Sequence, residues 1–371
     1  MTQKKLVKLN LILIILLLLP LPLLNTILIL SDNNKINFKK FNKKFLYSTD
    51  NLEGTLNYYL YEAMQRSFNE GQAVIGKDGF LFLGNDYARV LDKVQDKFPY
   101  SKSDIDTWTD KLRAVQSWYE DRDIKFIIVI APNKHTVYND KLPNWINASD
   151  NTITDDIVNL AKNKNINILD LRATLIKQNS PQLYFSTDTH WNNKGASIGY
   201  QETIQYINKT YQINYKTPKY SLSITTRGGG DLAGFLKIGS LLSRNYETNY
   251  KFNLVNESDV CHGTINKEHN LLKCNIKKNP VMGINGTDQY MINNKAVNKG
   301  KLLLLCDSFG SATSKPYNET FNTIWKFHYG HINGQELVSF VQENKPDIVI
   351  YQVVERDLYN QGIVKKLPIS F

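Results

Sequence analysis

The chain has 371 residues and a formal net charge of +10, and a chain of this length can bury a sizeable core in one large domain or two modest ones. The excess of positive charge indicates anionic surroundings such as membrane lipid or an acidic polymer, or reflects a composition rich in Lys, Asn and Ile. No block of Lys and Arg interleaved with aromatic residues is present, so the sequence does not support nucleic-acid binding.

The N-terminus has the pattern of a membrane anchor. Lys4, Lys5 and Lys8 precede an apolar run over residues 11–30. As a helix rising about 1.5 Å per residue, this run reaches roughly 30 Å, the thickness of a bilayer's hydrocarbon core. Positive charge before the run keeps the N-terminus cytoplasmic. A cleaved signal peptide is the alternative, but no small-residue cleavage site precedes the end of the run. The sequence therefore predicts a cytoplasmic tip and a transmembrane signal anchor over residues 1–32.

This anchor predicts a single-pass protein of the inner (cytoplasmic) membrane, with the rest of the chain periplasmic or otherwise extracytoplasmic. Residues 33–70 are predicted to form a basic tether and a leading helix. The tether, residues 33–44, contains five lysines and need not fold. The leading helix is predicted over residues 52–68, and a single domain follows over residues 71–371.

The domain begins with a predicted β-hairpin over residues 74–84, because apolar arms flank Asp78 and Gly79 at the turn. Helices and strands then alternate, which predicts an α/β fold with a parallel sheet. Ser103 is the expected N-cap of the first of these helices. The predicted elements are helix 103–122, strand 125–130, helix 152–163, strand 166–169, helix 192–206, strand 302–305, helix 334–343 and strand 348–351. Residues 246–299 lack helical periodicity and are predicted to form a β-rich insertion.

A candidate catalytic base lies near the middle of the chain. Asp188 and His190 are two residues apart, so in an extended segment both side chains leave the same face and the carboxylate can orient the imidazole. Ser308 is the candidate nucleophile. It follows a buried strand of four leucines at the point where the chain turns into a helix, and α/β sheets place their chemistry at the carboxyl ends of strands.

These residues suit acyl transfer. A serine hydroxyl is a weak nucleophile, and a hydrogen-bonded histidine takes its proton during attack on an ester carbonyl. Asp188 would fix the tautomer of His190, and the backbone N–H of Ser308 would donate to the oxyanion. Taken singly, Asp307 and Ser308 are as typical of a helix cap, and Asp188 and His190 of a hydrogen-bonded loop. Together they make catalysis the other interpretation, with water or a sugar hydroxyl as the acceptor.

Three cysteines are present. Cys261 and Cys274 flank a short loop, and a disulfide between them is feasible in an extracytoplasmic compartment. His262 and His269 complete a set of four potential zinc ligands, but the spacing matches no standard zinc pattern, so no metal site is predicted. Cys306 is left over, next to the proposed nucleophile.

Five short blocks occur in a fixed order between residues 74 and 356. They are residues 76–82, 188–196, 230–232 and 307–310, and the pair Glu355-Arg356. In content and order they resemble the alginate O-acetyltransferase family typified by AlgJ and AlgX. Asp188, His190 and Trp191 match the family's Asp-x-His-Trp signature. Cys306 departs from the pattern, because the family usually has glycine at that position.

The resemblance implies a three-layer α/β/α domain similar to SGNH hydrolases, with a central parallel sheet and a rearranged motif order. It implies a Ser308, His190 and Asp188 triad without a cofactor. It also implies a polysaccharide acceptor and a membrane-bound acyltransferase that supplies the acetyl group. The candidate substrate-binding or oxyanion residues are Asp307, Gly230, Asp231, Trp191 and Arg356.

The predicted function is therefore that of a membrane-anchored O-acetyltransferase acting outside the cytoplasm on a secreted or cell-surface polysaccharide of the alginate type. Two alternatives remain open at this point. One is a polysaccharide acetyl-esterase with the same triad. The other is a catalytically silent glycan-binding or assembly subunit, for which the unusual Cys306 gives some support.

Overall fold

The structure, a computed structural model, describes residues 20–31, 46–64, 66–283 and 287–359. The strands are β1 Ala73–Ile75, β2 Leu81–Leu83, β3 Lys125–Ala131, β4 Ile168–Asp170, β5 Tyr220–Arg227, β6 Glu247–Leu254, β7 Asp259–Ile265, β8 Asn275–Lys278, β9 Asp288–Ile292, β10 Lys301–Cys306, β11 Thr323–His328 and β12 Ile348–Val354. The helices are Pro20–Ser31, Asp50–Ala63, Val90–Val94, Lys102–Glu120, Lys134–Val137, Ile153–Asn163, Arg172–Lys177, Asn193–Tyr211, Asp231–Phe235, Ser314–Thr320 and Gly334–Asn344.

The main sheet has eight strands in the order β4-β3-β12-β10-β11-β9-β7-β8. The first five are parallel, as the alternation of helices and strands predicts. The sheet as a whole is mixed, so the predicted central parallel sheet accounts for these five strands and not for the other three. β9 pairs antiparallel with β11, and β7 and β8 continue from it. Three strands of the predicted β-rich insertion, β7, β8 and β9, thus extend the sheet, because the edge of β11 offers unpaired backbone groups to β9. The insertion's other strand, β6, pairs with β5 in a separate antiparallel ribbon.

Both faces of this sheet are covered, which gives three layers. Ile127 and Val129 of β3 pack into one core with the helix Asn193–Tyr211. Phe126 and Ile128 of the same strand face the other core, which contains the helices Lys102–Glu120, Ile153–Asn163 and Gly334–Asn344. Adjacent strand residues point to opposite faces, so an uninterrupted apolar strand such as β3 must be buried on both sides.

Several helix ends differ from the predictions. Ser101, and not Ser103, caps the helix Lys102–Glu120, because Ser101 and Asp104 form a reciprocal capping box. The leading helix ends at Ala63, five residues before its predicted end at 68. The β1–β2 hairpin is confirmed. Asp78 and Gly79 at its turn have φ of 53° and 74°, the left-handed conformation that two-residue hairpin turns require.

The predicted anchor lies only partly within the described residues. Its second half coincides with the helix Pro20–Ser31, which has 12 residues. Across the described part of the chain, no helix combines the length and the apolar character needed to cross a bilayer. Residues 1–19 and the tether over residues 33–44 lie outside the described residues, so the anchor and tether stay predictions.

The disulfide that the sequence makes feasible is present, since Cys261 in β7 is bonded to Cys274 across a Cα–Cα distance of 5.4 Å. These two sulfurs are therefore unavailable as zinc ligands. Cys306 at the end of β10 is a free, fully buried thiol, and burial raises its pKa to about 12. Gly310 makes room for it, because a Cβ at Gly310 would lie 2.4 Å from the Cys306 sulfur.

Candidate active site

Ser308 lies at the carboxyl end of β10, in the middle of the sheet. The chain there forms a 3-10 turn over Ser308–Ser311 in place of the predicted α-helix start. The carboxylate of Asp307 fixes this turn. Its Oδ1 accepts from the N–H of Phe309 at 2.9 Å, and its Oδ2 accepts from the N–H of Val354 at 2.7 Å. The turn is thereby fastened to the end of β12, with the Ser308 hydroxyl directed away from the core.

His190 and Asp188 lie on a tight turn that faces Ser308. The His190 Nε2 is 2.6 Å from Ser308 Oγ, and its Nδ1 is 2.7 Å from Asp188 Oδ1. The segment is a turn and not the expected extended strand. The side chains still converge, because Asp188 Oδ1 also accepts the backbone N–H of His190 at 3.0 Å. A short Asp side chain that bonds the backbone two residues on is a frequent way to fix such a turn.

The second oxygen of Asp188 is held by Arg227. Arg227 Nη2 donates to Asp188 Oδ2 at 2.5 Å, and its Nε lies 3.1 Å from Glu247 Oε2. Arg227 and Glu247 are directly opposite each other in the antiparallel β5–β6 pair. Glu247 Oε1 in turn accepts from the N–H and hydroxyl of Thr187. A chain of charged contacts thus runs from the β5–β6 ribbon to the turn that carries His190.

Lys134 supports the same turn from beneath. The residue is 2 % exposed, and its ammonium group donates to the carbonyl oxygens of Phe185, Ser186 and Asp188 at 3.1, 3.0 and 2.6 Å. Burial lowers the pKa of Lys134 to about 8. The carbonyls of Phe185 and Asp188 would otherwise lack a protein donor from the described part of the chain, whereas that of Ser186 also accepts the N–H of Leu81 at 2.8 Å.

The pKa values of two acidic groups in the site, Asp188 and Glu247, are shifted in opposite directions. Burial opposes ionisation of Asp188, but the hydrogen bond and charge of His190 and the charge of Arg227 outweigh it and lower its pKa. Burial dominates at Glu247 and raises its pKa, although Arg227 opposes the rise. Asp188 is therefore the stable anion that an imidazole base needs as its partner.

Two of the other predicted site residues serve the structure around Ser308. Trp191 is 1 % exposed, and its indole N–H donates to the carbonyl of Phe309 at 3.0 Å. Asp307 is buried, its oxygens accept protein donors, and burial raises its pKa. Neither side chain is free to donate to an oxyanion.

Three more of the predicted site residues lie near His190, namely Gly230, Asp231 and Arg356. The N–H of Gly230 donates to Thr187 Oγ1 at 2.9 Å, so it is not available to an oxyanion. Asp231 is an acceptor, with Oδ2 at 3.7 Å from the His190 Nδ1. Arg356 lines the space beside Ser308, and its Nη1 donates to the Asn133 side chain at 3.3 Å.

The site contains a group of side chains that could hold a metal ion. It consists of Asp188, His190 and Asp231, whose potential ligand atoms lie within 4.8 Å of one another. The guanidinium of Arg227 already neutralises Asp188 at 2.5 Å. A metal cation would have to bind beside that positive charge, so the geometry suits a hydrogen-bonded triad better than a metal centre.

Two cavities meet at Ser308 and His190. The larger, about 630 Å³, lies towards the β5–β6 ribbon and is lined by Arg227, Lys251 and Lys315 among others. The smaller, about 370 Å³, lies on the opposite side, between the β2 hairpin end and Arg356. A substrate can therefore approach the serine from either side.

Sequence reasoning missed the roles of Glu247 and Lys134, and left Arg227 undecided between substrate and carboxylate contacts. Lys134 comes shortly after a buried strand in the sequence, which is a weak indication of a site residue. The sequence carries no such indication for Glu247, because its partner Arg227 is identified only by the register of the β5–β6 pair.

Residues 73–269, just over half of the chain, match the protein family described as "SGNH hydrolase-like domain, acetyltransferase AlgX". The matched segment includes Asp188, His190, Gly230 and Asp231 and ends before Ser308. Among curated proteins, none matches this sequence.

Solved structures show the same fold. Bacillus cereus PatB1 has 17% identity and a TM-score of 0.57, over 77% of this chain and 97% of PatB1. PatB1 with a sulfonyl adduct has 16% identity and a TM-score of 0.58, over 78% of this chain and 97% of that one. A DHHW family protein from Eubacterium siraeum has 16% identity and a TM-score of 0.55, over 81% of this chain and 100% of that protein.

Proposed function

The chain belongs to the family of SGNH hydrolase-like acetyltransferases described by AlgX, and from this premise we propose that it transfers an acetyl group through Ser308 onto a hydroxyl of a polysaccharide outside the cytoplasm. The observation that carries the proposal is the unbroken hydrogen-bonded chain from Ser308 through His190 to Asp188. This arrangement has the nucleophile, the base and the orienting carboxylate in the order that acyl transfer needs.

In the first step, Ser308 Oγ attacks the acetyl carbonyl of the donor while His190 Nε2 takes the hydroxyl proton. The carboxylate of Asp188 stabilises the imidazolium that results. The carbonyl oxygen becomes negative, and the N–H of Ser308, at the start of its 3-10 turn, is the donor we assign to it. Collapse of the tetrahedral intermediate expels the donor's leaving group, which takes the proton from His190, and leaves acetyl-Ser308.

In the second step, an acceptor hydroxyl gives its proton to His190 Nε2 and attacks the acetyl carbonyl. The bond to Ser308 Oγ breaks, and the serine regains its proton. The larger cavity supports the binding of a polysaccharide chain, because Lys251 and Lys315 on its wall can contact anionic groups along the polymer. Membrane anchoring through residues 1–32 and a membrane-bound acyltransferase as the acetyl donor complete the proposal.

The silent-subunit alternative loses its main support. Cys306 is buried beneath the turn with its thiol facing Gly310, and Ser308 Oγ nevertheless lies at 2.6 Å from His190. The cysteine therefore coexists with a triad in hydrogen-bonding geometry.

The test is acylation of the full-length chain by p-nitrophenyl acetate, with the acetyl adduct located by mass spectrometry. We expect an adduct on Ser308 that is absent in Ser308→Ala. The rate should fall on the order of 10³-fold in His190→Ala, because the base is lost. Ser311→Ala is the matched control, since Ser311 lines the same cavity without contacting His190.

Acetylation of an added polysaccharide by the acyl-enzyme would then distinguish the transferase from an esterase, which would release only acetate. A folded wild-type protein that forms no adduct, or one in which Ser311→Ala and Ser308→Ala behave alike, would refute the assignment of the nucleophile.

A further inference from the structure

We propose that the smaller cavity beside Ser308 is the acceptor subsite, and that it takes an uncharged sugar unit stacked against Tyr87 and Phe235. This inference rests on the proposed function, since it concerns the second step of the same reaction. It goes beyond that function because it assigns a place and a chemical class to the sugar that receives the acetyl group.

The two cavities that share Ser308 and His190 differ in charge. The larger is lined by Arg227, Lys251 and Lys315, but Arg227 is paired with Asp188 and Glu247, and Lys315 with Glu257, so these charges largely offset one another. The smaller cavity is acidic, because Asp86, Asp231 and Asp357 line it and Arg356 is the one guanidinium among its lining residues. A negatively charged sugar would therefore be repelled from the smaller cavity more strongly than from the larger one. The acidic side instead suits sugar hydroxyls, because carboxylates are strong hydrogen-bond acceptors.

The smaller cavity also contains an aromatic surface. The rings of Tyr87 and Phe235 stack with their centroids 5.2 Å apart and an angle of 7° between them. Tyr87 is 37 % exposed, so this pair is not sealed in the core. Aromatic faces carry negative charge, and the C–H bonds of a sugar ring are weakly positive, so a sugar ring packs well on such a surface.

The loop that carries Tyr87 is fixed before any ligand arrives. The N–H of Asp86 donates to the Gly71 carbonyl at 2.8 Å, and the carbonyl of Tyr87 accepts from Val90 at 3.2 Å. The adjoining Ala88 has φ of 52°, a left-handed conformation that costs free energy and is kept only where the surroundings enforce it. A preformed surface loses little entropy on binding.

The position of the cavity fits the second step. Ser308 and His190 both line it, so a sugar hydroxyl there can reach His190 Nε2 and the acetyl carbon together. The hydroxyl proton goes to His190, the new bond joins the sugar oxygen to the acetyl carbon, and the bond to Ser308 Oγ breaks. The proton then returns to Ser308, and no other reactant is needed.

The experiment separates the two steps in the full-length chain. Acetyl-Ser308 is formed with p-nitrophenyl acetate, and its decay is followed by mass spectrometry with and without cellopentaose, an uncharged probe, or pentagalacturonate, an anionic one. The variants are Tyr87→Ala, Tyr87→Phe, which keeps the ring, and the control Tyr59→Ala, which removes an aromatic side chain that is 66 % exposed on the helix Asp50–Ala63.

We expect cellopentaose to accelerate decay of the acyl-enzyme and to be acetylated. Tyr87→Ala should reduce that acceleration at least about fivefold, as loss of one aromatic contact implies. Acylation by the donor should change less than about twofold, and Tyr87→Phe and Tyr59→Ala should resemble the wild type.

Each contrary result has its own meaning. No acyl-enzyme in the wild type refutes the proposed function itself. An acyl-enzyme that cellopentaose does not accelerate, or accelerates equally in Tyr87→Ala, overturns the acceptor subsite alone. Slower acylation in Tyr87→Ala, equal to the loss of transfer, would place the donor in this cavity and also overturn the proposal. Acceleration by pentagalacturonate only would overturn the uncharged class.

Discussion

Replacement of Arg227 by glutamine tests how the triad is held in place. The guanidinium is bonded to Asp188 at 2.5 Å and lies 3.1 Å from Glu247. Without it, the nearest remaining donor to Asp188 Oδ2 is the N–H of Asp231 at 3.4 Å. A shortened, uncharged side chain cannot bridge both carboxylates, so Asp188 and its turn lose their link to the β5–β6 ribbon.

The magnitude follows from the kind of contact that is lost. A hydrogen bond to a charged group contributes about 1.5–3 kcal/mol. If that free energy is expressed in the transition state, the loss corresponds to a fall in kcat of about 10- to 100-fold. The pKa of Glu247, already raised by burial, should rise further, because the positive charge that opposes the rise is gone.

The assay measures kcat and KM for p-nitrophenyl ester turnover in Arg227→Gln, Arg227→Lys and Lys251→Gln. A residue that positions Asp188 lowers kcat and leaves KM nearly unchanged, whereas a residue that binds substrate raises KM. Arg227→Lys should recover part of the loss, since a single ammonium cannot contact both carboxylates as the fork of arginine does.

Lys251→Gln is the matched control, because it removes the same charge from the same cavity without contacting Asp188. The reasoning would be refuted if Arg227→Gln kept kcat within twofold of the wild type, or if both variants raised KM alike and left kcat unchanged. The second result would identify Arg227 as a substrate contact.

Three further predictions concern other parts of the molecule. Gly230→Ala should lower kcat at least about tenfold, because its Cβ would lie 2.3 Å from the Asp188 Cβ, whereas Gly234→Ala meets nothing within 4 Å and should match the wild type in the same assay. Lys134→Met should lower the free energy of unfolding by about 2–4 kcal/mol, since the carbonyls of Phe185 and Asp188 lose their donor and that of Ser186 keeps only the N–H of Leu81. The pKa of Lys134 is near 8 in the folded chain, against an ordinary value of 10.5. Between pH 8 and pH 10.5 the unfolded chain therefore binds more protons at this residue than the folded chain does. The wild type should therefore gain stability relative to Lys134→Met as the pH rises from 8 towards 10.5 in chemical denaturation, and a constant difference would contradict the burial of a titrating ammonium. Cys274→Ser removes a disulfide between residues with a sequence separation of 13 and should lower the free energy of unfolding by about 3 kcal/mol. Acylation of Ser308 should be unchanged. Loss of acylation in folded protein would show that the far edge of the sheet affects the site.

Much of the fold could be predicted because its signals are local. The turn at Asp78 and Gly79 follows from two residues that tolerate positive φ. The strand at β3 follows from an apolar run that only a doubly covered sheet can bury. The capping of the helix Lys102–Glu120 shows the limit. Ser101 and Ser103 each have an aspartate three residues further on, Asp104 and Asp106, so the sequence offers two equivalent capping boxes, and the structure shows that Ser101 and Asp104 form one.

The antiparallel half of the sheet could not be predicted in the same way. β9 carries no pattern that identifies β11 as its neighbour, and β7 carries none that identifies β9, because both pairings depend on where separate segments of the chain meet. The sequence of residues 246–299 shows β structure by its composition and spacing. It does not show whether those strands form a separate unit or extend an existing edge.

For the site, the sequence by itself determined the pair Asp188 and His190, since a spacing of two residues lets one carboxylate bond both the ring and the backbone of the histidine. It also identified Ser308, because a small polar residue directly after a buried strand must lie at the sheet's carboxyl edge. Only the tertiary structure brought Ser308 to within 2.6 Å of a histidine 118 residues away, aligned Arg227 with Glu247, and opened two cavities of different charge beside the serine. Local patterns fix the backbone over a few residues, whereas contacts between distant segments depend on strand register and packing, which no short stretch of sequence contains.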